Sequence, residues 1–134
     1  MQEPYSNFLV FFIAKTFLRM TLDIFKTVDI IEIMENFTEE RRPPIEIRDE
    51  LDLSYKIENQ SIIIFEIRPK FKSVTEKIEC LIAKTTFVKT NNSWKVFWQR
   101  ADLKWHLYKP QPVVKTLKDF TQLVNDDIYH CFWG

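Results

Sequence analysis

A chain of 134 residues that is 46% hydrophobic and 15% aromatic can bury a core of its own as one domain. Its 19 basic and 19 acidic residues cancel, so no bulk electrostatic pull toward nucleic acid or an anionic membrane is expected, although a local patch is not excluded. Gly134 is the single glycine, which rules out a glycine-rich phosphate loop and leaves the turns to Asn, Asp and Pro.

Near the start, Phe8 to Ala14 is an unbroken apolar run, too short for a membrane span. No basic region precedes it and no cleavage-like segment follows, so a helical extension packed on the domain is expected rather than a secretory signal. The spacing of Ile24, Val28, Ile31, Met34 and Phe37 predicts a helix over 21–41, capped by Thr21 and ended by Pro43-Pro44. Arg41 and Arg42 then sit at its C-terminal end, where the helix dipole favours cations; beside the rigid prolines they could also form a docking corner.

Alternation predicts strands over 47–58 and 61–68, with Asn59-Gln60 between them and Pro69 ending the second. Residues 77–89 are apolar on both faces in their middle, as a central strand would be. Trp94 to Tyr108 reads as a hairpin that turns at Arg100-Ala101-Asp102. Its period of two sends Trp94, Trp98 and Trp105 into the core and turns Lys104, His106 and Tyr108 outward. Aromatics so grouped are core by the plain reading and a ligand cage by the sharper one. A second helix is predicted over 116–125, with Thr116 and Asp119 as a capping box, and the apolar tail is expected to dock. The result is an α+β domain: a five-stranded antiparallel meander with an N-terminal and a C-terminal helix on one face.

The stretches RRPP (Arg41 to Pro44), IRDELDLSY (Ile47 to Tyr55), FEIRP (Phe65 to Pro69), IAKTTFV (Ile82 to Val88), WKVFW, LKWHLY and the terminal FWG follow in an order that resembles the bacterial family of domain of unknown function 3024, over about residues 20–134. The resemblance carries no activity. Asn59 and Asn91-Asn92 stand where such proteins often have glycine. The resemblance also implies a start at Met20, with residues 1–19 as an upstream extension and 20–134 as the single domain.

The sheet face away from the helices is expected to gather Arg48, Lys56, Glu66, Arg68, Lys95, Phe97, Lys104, His106 and Tyr108, with acidic Glu50 and Asp52. Arginine offers a planar fork to phosphates and carboxylates, and aromatic rings offer stacking planes. Arg48, Glu66, Arg68, Lys104, His106 and Tyr108 are therefore the candidate binding site for an anionic ligand or partner. The competing structural reading is an ordinary solvated sheet face, with Glu66 and Arg68 simply paired.

A hydrolase-like or nuclease-like enzyme using Glu66, Arg68 and His106 is the alternative function. The E-x-K pattern of metal-dependent nucleases is missing, because Glu66 is followed by Arg68 and Glu79 by Leu81. His106 and His130 are isolated, so no metal site or cofactor is expected. Cys80 reads as a small core residue, and the two scattered thiols point to a reducing cytoplasm. Single-stranded nucleic acid is a further candidate ligand, and an exposed hairpin edge could pair two copies.

Overall fold

The computed structural model describes residues 7–134, with side chains from Ile24 onward. Residues 34–134 form one compact unit, and the helix before Met34 belongs to another. The expected packing of residues 1–19 on the domain lies outside the described residues and side chains. Among the described residues no helix is long and apolar enough to cross a membrane.

Helix α1 runs over Asn7–Arg41 without a break at Thr21. The segment contains neither glycine nor proline, so nothing at Thr21 forces a new start. Met34, Phe37 and Thr38 are buried, whereas Ile24, Val28 and Ile31 on the same stripe are exposed. Pro43-Pro44 ends the helix and leads into a 3-10 turn over Ile45–Ile47, in which Ile47 N–H donates to the Pro44 carbonyl at 3.0 Å. The first strand is accordingly shorter than the alternation predicts: β1 covers Asp52–Glu58, and Ile47 and Arg48 lie before it.

The remaining strands are β2 (Ser61–Pro69), β3 (Lys77–Val88), β4 (Ser93–Gln99), β5 (Trp105–Leu107) and β6 (Val113–Val114). The first five pair in sequence order, all antiparallel, and β6 adds a sixth strand beside β4. The α+β class and the antiparallel meander are as predicted, with this two-residue strand in addition. Asn59 and Asn92 take left-handed φ values of 54° and 47° at two of the turns, the role that asparagine fills where glycine is missing.

Directly opposed residues of an antiparallel pair point to the same side, so the register assigns both faces. Leu53, Tyr55, Ile57, Ile62, Ile64, Ala83, Thr85, Trp94, Val96 and Trp98 share the inner face. Most of them are buried, with Ile64, Ala83, Thr85 and Val96 fully so. The last turns of α1 and the helix α2 (Leu117–Asp126) supply Met34, Phe37, Phe120 and Val124 to this core. Thr116 caps α2 through the expected capping box with Asp119. The C-terminal tail docks through Asp127, whose carboxylate accepts from the N–H groups of Phe132 and Trp133 at 3.0 and 2.9 Å.

Two irregularities decide what reaches the outer face. Between Ala83 and Leu81 the β2–β3 register slips and Ile82 is the extra residue, so Lys84 and Leu81 end on the same side. The second is the turn into β5. It extends through Leu103, which adopts φ 61°, while Asp102 Oδ1 accepts from Lys104 N–H at 2.9 Å. This lengthened turn inverts the predicted parity. Trp98 opposes His106, and Gln99 opposes Trp105. His106 and Tyr108 therefore face inward, and Trp105 and Leu107 face outward.

Candidate functional site

The outer face of the sheet is ordered in cross-strand rows. One row is Lys56, Ile63, Lys84, Phe97 and Leu107, taken from β1 to β5. The next is Glu58, Ser61, Thr86, Lys95 and Val113. On the other side lie Phe65 with Leu81 and Gln99 with Trp105. Ile63 and Phe65 are buried although they face away from the helices. The lysine stems on either side account for this: long side chains lie along apolar surface and hold their charge outward. Lys56 Nζ is 5.4 Å from the Phe65 ring centre.

The charges on this face differ in their freedom. Lys56 is tied to Glu79 at 3.0 Å and Glu58 at 3.7 Å, and the Glu79 hydrogen bond raises its pKa. Lys84 is placed differently. Its Nζ lies 5.4 Å from the Phe97 ring and 5.7 Å from the Trp105 ring. Among the described residues no carboxylate forms an ion pair with Lys84 or Lys95. Phe97 and Trp105 are half-buried and Lys95 is exposed. The Lys84 ammonium thus stands beside two partly exposed rings, with Lys95 one row further along, an arrangement that can hold an anion and stack a planar group.

The six residues singled out from the sequence are not brought together there. Arg48 lies in the turn before β1 and donates from Nε to the Pro43 carbonyl at 2.9 Å. Glu66 and Arg68 are on the inner side of β2 and pair with each other at 2.9 Å. Lys104 is exposed in the β4–β5 turn. His106 faces inward opposite Trp98, with Nε2 2.8 Å from Asp102 Oδ2. Tyr108 is 3% exposed, its ring 5.0 Å from Phe132, and burial raises its pKa. Glu66 and His106 are separated by β3 and β4, three strand spacings or about 14 Å, too far for one catalytic centre.

A second polar concentration lies at the end of α1. Arg42 grips Asp52 with both forks, Nε to Oδ1 at 2.7 Å and Nη2 to Oδ2 at 2.8 Å. The Arg42 hydrogen bond holds the Asp52 carboxyl below the usual aspartate range. The Arg41 guanidinium stacks 3.9 Å over the Trp133 ring and donates to Asn125 at 3.2 Å. Trp133 Nε1 in turn donates to the Val124 carbonyl at 2.9 Å. A hollow of about 190 Å³ opens here, lined by Arg41, Pro43, Asp52, Glu66 and Trp133 among others. Its charged groups are already engaged, Arg41 with Trp133 and Asn125, Asp52 with Arg42 and Glu66 with Arg68, which makes it a structural clasp. Among the described residues no group of His, Cys, Asp and Glu could hold a metal ion.

A family profile, domain of unknown function (DUF3024), matches residues 22–134. The chain belongs to the DUF3024 family. In this DUF3024 domain the stretches Arg41 to Pro44, Ile47 to Tyr55, Phe65 to Pro69 and Phe132 to Gly134 meet at the clasp just described. No curated protein and no solved structure matches the chain.

Sequence reasoning missed Lys84 and the outward turn of Trp105, which it read as core or as part of an aromatic cage. Lys84 carried a signal: it is a lysine inside an otherwise apolar central strand, which needs a reason to be there. Trp105 carried none, because its orientation depends on how many residues the preceding turn consumes.

Proposed function

We propose that this DUF3024 domain is a binding module whose outer sheet face takes an anionic ligand at Lys84, Lys95, Phe97 and Trp105. What carries the reading is the Lys84 ammonium, placed near two aromatic rings and, among the described residues, with no carboxylate in an ion pair with it. Lys56 on the same face is by contrast held by Glu79 and Glu58. The two free thiols, Cys80 and Cys131, fit a reducing cytoplasm as its compartment. Binding of a fluorescent heparin fragment, followed by anisotropy, tests the site. Binding that disappears in Lys84→Ala/Lys95→Ala supports it. Unchanged binding in that variant places the anion elsewhere and overturns it.

A further inference from the structure

We infer that the ligand of this face is single-stranded nucleic acid; the inference rests on the anion-binding reading above. Three observations lead from the general anion to this one. First, the cations do not stand alone. Lys84 sits beside Phe97 and Trp105, so a ligand that neutralises it also meets two ring faces. A nucleotide offers both complements, a phosphate and a flat base, whereas an acidic peptide or a sulfated sugar offers only charge.

Second, the cationic track is narrow. Lys95 opposes Thr86, two residues along β3 from Lys84, which sets the two lysines diagonally across adjacent strands, about 7–8 Å apart. Glu58 on β1 and Glu79 near the start of β3 occupy Lys56 and would repel a phosphate. A strand of nucleotides is thereby confined to the part of the sheet around Lys84 on β3, Lys95 and Phe97 on β4 and Trp105 on β5.

Third, the free charge is small. A duplex presents one negative charge per about 1.7 Å of axis, and its paired bases are closed to side chains stacking on their faces. Two lysines match that density poorly. A single strand has bases to stack, and stacking on aromatic side chains can supply most of the affinity where charge is scarce. A chain of zero net charge suits such a ligand better than one held by phosphate contacts alone.

The test uses the full chain and fluorescence anisotropy with three probes: a labelled ten-nucleotide oligothymidylate, the matching duplex, and the heparin fragment. The single strand is expected to bind and to quench tryptophan emission. Neutralising two phosphates gives a slope of log K against log salt of about −1.4. Trp105→Ala is expected to weaken oligothymidylate binding about 10-fold, as loss of one stacked base does, and to leave heparin unaffected. Trp105→Phe keeps a ring and is expected to restore most of the binding, which separates stacking from a folding defect. Preference for the duplex overturns the inference. So does oligothymidylate binding that ignores Trp105→Ala, while heparin binding lost in Lys84→Ala/Lys95→Ala would leave the anion site standing. Failure of every probe to bind overturns both readings.

Discussion

Two ion pairs of similar appearance contribute very differently. Their carboxylates are buried alike, but Arg42–Asp52 is bidentate with its arginine one-third exposed, whereas Arg68–Glu66 is a single contact whose arginine is half exposed. The first fixes where the chain leaves α1 and enters β1, and it holds the Asp52 pKa down chiefly through the Arg42 hydrogen bond. A carboxylate depressed in the folded state contributes stability above its unfolded value, about 3.9 for aspartate, and loses it as pH falls through the folded value. Asp52→Asn is therefore expected to lower the urea midpoint at neutral pH and to flatten its fall below pH of about 4. Urea melts across that range check this, and an acid limb as steep as that of the parent would contradict it. Tyr55 illustrates the opposite sign. Burial, and then the Glu35 carboxylate that accepts its hydroxyl at 2.8 Å, push its pKa up to about 12. Its contribution is complete below the unfolded value and disappears as pH rises toward that figure.

At the scale of elements, α2 acts as the cover of the β4–β6 end of the core. Leu117, Phe120 and Val124 lie at helical spacing and are buried, and Phe120 and Val124 have no exposed surface. Phe120→Ala is expected to cost about 3–5 kcal/mol, as large core truncations usually do. Thr116→Ala, which removes the cap but no packing, is expected to cost about 1 kcal/mol. Denaturant melts of the pair measure both. A Phe120→Ala loss no larger than that of Thr116→Ala would mean that α2 only touches the surface of the sheet.

The elements also differ in how legible they are in the amino-acid sequence. The two helices, the antiparallel meander and the docked tail follow from apolar spacing, proline stops and turn residues, because those signals are local. Which face turns inward follows for β1 and β4, whose alternation is clean, and does not follow for β2 and β5. β2 is apolar on both sides, with Ile62 and Ile64 on one and Ile63 and Phe65 on the other, so its alternation is ambiguous. In β5 the ambiguity is decided by Leu103: a leucine at φ 61° spends one more residue in the turn than its apolar character suggests. That single step exchanges Trp105 for His106 and moves the candidate site to different residues.

For the whole molecule, the consequence is a division of labour between two faces. The inner face joins the β-sheet to α2, the last turns of α1 and the tail, and it uses Glu66, Arg68 and His106 in local pairs. Among the described residues the outer face leaves Lys84 and Lys95 without ion-paired carboxylates, Lys84 beside half-buried Phe97 and Trp105. Amide chemical-shift mapping during titration with the ten-nucleotide single strand compares the two faces in one experiment. Shifts centred on Lys84, Lys95, Phe97 and Trp105 are the predicted result; shifts centred on Glu66, Arg68 and His106, with the outer rows silent, would contradict it.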